Sequence, residues 1–102
     1  MSELQEITER VRTAVADGGL DKSLKLDLGE AGTILIDGSS VSNDDGKADL
    51  TVTTSVETLK ALREGALDPR SALMSGKLKV SNMMTAMGMQ AQIGMLFRKM
   101  SN

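Results

Sequence analysis

The sequence predicts an α+β domain with a largely antiparallel sheet of five strands, and three observations carry that reading. Apolar residues recur at helical spacing over residues 3–16. Four stretches between residues 24 and 54 then read as strands. Helical spacing returns after residue 55, interrupted by one short alternating stretch at 77–80. Strands grouped ahead of most of the helices indicate α+β rather than repeated βαβ units. The 102 residues are read as a single domain, 1–102, with one modest core.

In the first helix Leu4, Ile7, Val11, Ala14 and Val15 share a face, Ser2 and Gln5 have the capping-box spacing, and Asp17-Gly18-Gly19 stops it. The period then changes to two. Leu24, Leu26 and Leu28 alternate with Lys25 and Asp27, as in a half-buried strand. Gly29 to Gly32 is a turn, Thr33-Ile34-Leu35-Ile36 a β-forming run, and Val41 anchors a short third strand. Asn43-Asp44-Asp45-Gly46 reads as a hairpin loop, with Ala48, Leu50 and Val52 facing inward on the strand that follows. Thr54 to Glu57 repeats the capping-box spacing ahead of a helix that opens at Val56, carries Leu59 and Leu62, and ends at Gly65. Asp68-Pro69 is an N-cap and first helical residue, and Gly76 closes that short helix. Leu78 and Val80 mark the last strand. From Ser81 or Asn82 one helix runs towards Met100.

Composition excludes more than it suggests. With no His and no Cys there is no zinc site of the usual kind, no thiol nucleophile and no Ser-His relay. Glu57 and Glu64 share a helix face as a solvated pair would, and nothing in the sequence supports enzymatic activity or calls for a cofactor. A net charge of −2 gives no electrostatic reason to expect nucleic acid. Ser75-Gly76-Lys77-Leu78 lacks the upstream Gly and the Ser/Thr of a phosphate loop. Asn43 to Gly46 lacks the bidentate Glu of a calcium loop. No run of 18 apolar residues exists, and residues 1–17 are too charged for a signal peptide. The expectation is a cytoplasmic protein without stable membrane insertion.

Methionine is the anomaly. Seven of eight Met residues lie between Met74 and Met100, in a chain with one Phe and no Trp or Tyr. At about 100° per residue, residues 83–100 give two apolar arcs. Met89, Ile93, Leu96, Phe97 and Met100 share one with Ala86. Met83, Met84, Met87, Ala91 and Met95 share the other. One arc meets the core. The second has three candidate occupants: the protein's own core or a second copy in a homodimer, a partner protein, or an apolar ligand. Gly88 and Gly94 each cost about 1 kcal/mol against Ala in a helix interior, and each leaves room where a side chain would sit.

The surrounding residues resemble the sterol carrier protein-2 (SCP2) family of lipid-binding domains over most of the chain. Gly65-Ala66-Leu67-Asp68-Pro69 followed by Ala72-Leu73-Met74-Ser75-Gly76-Lys77-Leu78 is similar to that family's G-x-L-x-P and A-F-M-x-G-K-L signature. Asn82-Met83 and Ala86-Met87 are similar to its N-M-x-x-A-M, and Ala48-Asp49 to the start of its A-D-x-T strand. The resemblance implies a five-stranded, mostly antiparallel mixed sheet covered by helices. It also implies an apolar tunnel between sheet and C-terminal helix for fatty acids, acyl-CoAs, sterols or other lipids. The lipid-binding residues expected on that basis are Met74, Leu78, Met83, Met84, Met87, Ala91 and Met95. Leu73 stands where the family usually has Phe. So few aromatics disfavour a rigid pocket for a flat sterol, and soft Met walls suit a flexible acyl or isoprenoid chain. The ending Lys99-Met100-Ser101-Asn102 lacks a peroxisomal address, as expected of a stand-alone prokaryotic-type member.

The function expected is non-enzymatic binding and carriage or presentation of an apolar lipid. The alternative is an interaction module whose Met-rich helix docks a partner enzyme or a second copy. An empty rigid tunnel of ~400 Å³ at about 24 cal/mol per Å³ costs ~10 kcal/mol. Whole domains are stable by only about 5–15 kcal/mol. Without ligand, residues 83–96 are therefore expected to be collapsed or loosened.

Overall fold

The computed structural model describes residues 2–100. Helix α1 (Glu3–Val15) starts as its sequence requires. The Ser2 hydroxyl accepts from the Gln5 amide at 3.2 Å, and the Gln5 side chain accepts from the Ser2 amide at 3.3 Å. Strands β1 (Leu24–Asp27), β2 (Thr33–Asp37), β3 (Ser40–Ser42) and β4 (Leu50–Thr54) follow, with a single 3₁₀ turn at Gly29–Ala31. Helices α2 (Val56–Arg63) and α3 (Pro69–Met74), strand β5 (Leu78–Val80), and helices α4 (Met83–Gly88) and α5 (Gln90–Met100) complete the chain.

The sheet order is β3-β2-β1-β4-β5, with β1 and β4 parallel and every other pair antiparallel. Register places Leu24 between Ile36 and Leu50, and Leu26 between Ile34 and Val52. Those six side chains are almost wholly buried and form the floor of the core. Above them α1 packs against α5, bringing Ile7, Val11, Ala14 and Val15 together with Leu96, Phe97 and Met100. The α+β class and the mixed five-stranded sheet are as expected.

Three local expectations are corrected. Asn43 to Gly46 is no hairpin loop, because β3 lies at the sheet edge and β4 pairs with β1. The connection instead crosses the sheet. Asn43 donates to Thr8 Oγ1 at 2.9 Å and to the Thr33 carbonyl at 3.0 Å, and Asp45 pairs with Lys25 at 3.0 Å. The cap of α2 is Ser55, whose hydroxyl accepts from the Thr58 amide at 3.0 Å. Thr54 is claimed by β4; it is buried and its hydroxyl donates to the Lys77 carbonyl at 2.9 Å.

The third correction concerns the last helix, which is two. Met89 leaves the helical path at φ −101°, ψ 5°, its side chain fully buried, after Gly88 has ended α4. Burying Met89 beneath the helix outweighs carrying the helix straight through a glycine, which contributes little to helix stability. The two apolar arcs persist across the break: Met89, Leu96, Phe97 and Met100 are buried with Ala86 and Ile93 packed against them, while Met83, Met84, Met87 and Met95 are exposed.

Candidate functional site: an apolar cleft

The break at Met89 opens a cleft between α3, β5, α4 and α5, of about 310 Å³ and open to solvent on one side. Each wall follows from a local periodicity. Val52, Leu78 and Val80 come from paired positions on β4 and β5, Val52 opposite Val80, and form the floor. Pro69 and Leu73, four apart on α3, face it from one side. Met83, Ala86 and Met87 on α4 lie at i, i+3 and i+4. Gln90, Ile93, Gly94 and Phe97 on α5 continue that spacing to i+7.

Polar groups are confined to one part of the lining. Asp68 caps α3, its carboxylate accepting from the Arg70 amide at 2.8 Å. The Gln90 amide oxygen, in the orientation that satisfies both partners, accepts from Arg70 Nε at 2.9 Å and Nη2 at 3.0 Å. Such a lining suits an apolar occupant: it is hydrophobic on five elements with few polar groups. No group of three or more His, Cys, Asp or Glu that could hold a metal occurs among the described residues. No helix of the described residues is long and apolar enough to cross a membrane.

Of the seven residues singled out in the sequence, the structure brings Leu78, Met83 and Met87 to the cleft. Leu78 is buried, whereas Met83 and Met87 are 51% and 68% exposed at its mouth. Met74, Met84, Ala91 and Met95 lie outside this lining. Met74 and Met84 face solvent at 89% and 84% exposure. Met95 borders a separate depression of about 60 Å³ between α1 and α5, beside Leu20 and Gln92. Sequence reasoning missed Val52, Pro69, Arg70, Leu73, Val80, Ala86, Gln90, Ile93 and Phe97 as lining residues. For Ala86, Ile93 and Phe97 the signal was their shared arc. The helical count separates Ile93 and Phe97 from Ala91 and Met95, and it is the first pair that lines the cleft.

The SCP-2 sterol transfer family model matches residues 1–93. Rabbit (Oryctolagus cuniculus) sterol carrier protein 2 is 46% identical over 54 residues, which is 52% of this chain and 10% of that protein. The matched stretch thus spans about a tenth of that curated relative. Among solved structures, sterol carrier protein 2 like 2 from Aedes aegypti superposes with a TM-score of 0.68 at 20% identity, covering 89% of this chain and 95% of the other. The solution structure of Aedes aegypti sterol carrier protein-2 in complex with the C16 fatty acid palmitate gives a TM-score of 0.65 at 16% identity, covering 93% and 98%. Identities this low establish the shared fold alone. With the family model matching most of its length, the chain belongs to the SCP-2 sterol transfer family.

Proposed function

We propose that this SCP-2 family chain binds an apolar lipid in the cleft and carries or presents it in the cytoplasm, without catalysing a reaction. The observation that carries this reading is the cleft itself, about 310 Å³ with apolar side chains from β4, β5, α3, α4 and α5. Support comes from the family and from the Aedes aegypti relative whose complex contains palmitate. Leu78, Met83 and Met87 are assigned to the ligand. Met side chains have three rotatable bonds and a polarisable sulfur, so a wall made of them adapts to a flexible chain.

Helix α4 is the moving part in this reading. None of its six residues is buried, and it hangs between Asn82 and Met89. On ligand binding it closes over the open side and turns the cleft into a tunnel. Met84, Ala91 and Met95 do not line the cleft, and closure of α4 brings Met83 and Met87, not Met84, over the ligand.

The test is thermal and chemical unfolding with added fatty acids of increasing length. At a free ligand concentration of a hundred times Kd, stability rises by about 2.7 kcal/mol. Hydrogen exchange of the amides of residues 83–89 slows in parallel. Indifference of both readouts to every chain length overturns the reading.

A second reading has one observation in its favour. Met74 and Met84 are the two most exposed large hydrophobic residues among the described ones, and neither lines the cleft. Exposed apolar groups of this kind suit a partner enzyme or a second copy of the chain. A mass that rises with protein concentration or with a partner, and ignores lipid, selects this alternative.

A further inference from the structure

Exposed apolar surface and unpaired positive charge meet at one edge of the molecule. Four of the five large hydrophobic side chains exposed among the described residues are Met74, at the end of α3, and Met83, Met84 and Met87 on α4. Both helices lie beside β5, the edge strand of the sheet, since Leu73, Met83 and Met87 line the cleft together with Leu78 and Val80. Lys77 and Lys79 flank Leu78 and are exposed, and neither has an ion-pair partner among the described residues. Arg70 adds a third cation at the cleft, held to Gln90. Asp68, the cap of α3, is the last carboxylate side chain in the sequence. Helix α1 lacks this combination: its apolar face is buried, and Arg10 and Arg12 pair with Glu6 and Glu9.

We infer that the edge formed by α3, β5 and α4 docks on the surface of an anionic membrane. Met74, Met83, Met84 and Met87 enter the headgroup layer, and Arg70, Lys77 and Lys79 meet lipid phosphates. Charge complementarity selects this occupant. Each Lys or Arg near an anionic bilayer is worth about fivefold in affinity. A second copy docked on the same face about a two-fold axis would set these cations against one another. A folded protein partner gains most from rigid anchors in fitted pockets, and four unbranched thioether side chains offer no fixed shape. A fluid bilayer interface requires none. Helix α4, six residues long, is too short to span a bilayer, so the docking is peripheral and reversible. Docked this way, the open side of the cleft, bordered by Met83 and Met87, faces the bilayer. An apolar chain then passes between cleft and membrane without crossing water. The docking goes beyond the lipid-binding reading and is measured independently of it.

The experiment is co-sedimentation with vesicles of phosphatidylcholine alone and of phosphatidylcholine mixed with phosphatidylglycerol, at low and high salt. Fatty-acid displacement in solution is measured on the same proteins. The unsubstituted protein should bind the mixed vesicles at least about tenfold more tightly than the neutral ones, and lose that margin at high salt. Met74→Ser combined with Met84→Ser, both outside the cleft lining, should weaken vesicle binding about tenfold and leave fatty-acid affinity unchanged. Lys77→Glu with Lys79→Glu should abolish the preference for mixed vesicles. Lys22→Glu with Lys47→Glu, the same change in net charge outside α3, β5 and α4, should keep most of it. Equal binding to both kinds of vesicle, or equal loss in the two charge-reversed pairs, overturns the assignment. So does a protein that dimerises in sedimentation velocity and becomes monomeric with Met74→Ser and Met84→Ser, because a second copy then covers the face. A folded protein that takes up fatty acid in solution but binds neither vesicle overturns the docking, leaves the face to a partner protein, and leaves the lipid-binding reading standing. One that binds mixed vesicles as described but takes up no fatty acid upholds the docking and overturns that reading.

Discussion

Helix α1 and helix α4 are both rich in apolar residues, yet they meet opposite fates. In α1, Ile7, Val11, Ala14 and Val15 lie against the sheet and α5, none more than 5% exposed. In α4 no residue is buried, and three of its six residues are exposed methionines. The chemistry of the side chains matches the fates. Stiff β-branched and Leu side chains fill the interior between α1 and the sheet, where close packing rewards a single rotamer. Unbranched Met borders the cleft, where a wall has to accommodate an occupant. Charge follows the same division. From Pro69 to the C-terminus the chain has Arg70, Lys77, Lys79, Arg98 and Lys99 but no carboxylate, whereas all fourteen acidic residues lie at or before Asp68.

The sharpest way to break this comparison is to cut one side chain on each side of it. Leu26→Ala, in the wholly buried centre of the sheet, should lower stability by about 3 kcal/mol in urea unfolding. Met84→Ala should change it by less than about 0.5 kcal/mol. Equal losses would mean that α4 is packed as a core element, and the division would be wrong. Next in size is Thr54→Val, which keeps the shape and removes the hydroxyl that satisfies the Lys77 carbonyl. It should cost about 1–2 kcal/mol. No loss would show that this bond does not anchor β5 to β4.

A matched pair on α4 sharpens the contrast within the cleft wall. Met87→Lys places a charge on the lining and should weaken palmitate binding about tenfold, about 1.4 kcal/mol. Met84→Lys, three residues earlier and outside the lining, should leave affinity and fold intact. If the two variants behave alike, α4 is not the wall described. The smallest effect is expected at a cap. Ser55→Ala should cost about 1 kcal/mol by freeing the Thr58 amide. A silent Ser55→Ala would move the cap back towards Thr54.

These residues also mark how far the sequence reaches. The Ser2–Gln5 box, the Leu24-Leu26-Leu28 alternation and the Asp68-Pro69 start were legible because each is local: the residues that signal it also satisfy it. Thr54 and Ser55 are both competent caps, and only strand pairing, a non-local fact, assigns Thr54 to the sheet. The same holds for residues 43–49, since alternation shows that β4 is a strand but not that its partner is β1 in parallel. The cleft was half legible. Signature residues pointed to Leu78, Met83 and Met87. The helical count placed Met89, Ile93 and Phe97 on one arc, but it could not show that part of this arc, Ile93 and Phe97, also lines the cleft beside β5 and α3, because that is a tertiary contact.

The most direct test of the central claim is native mass spectrometry of the purified protein, prepared without detergent, before and after organic extraction. The account predicts a bound species of a few hundred daltons that extraction removes and added lipid restores. A bare mass that no fatty acid or branched-chain lipid shifts would contradict it.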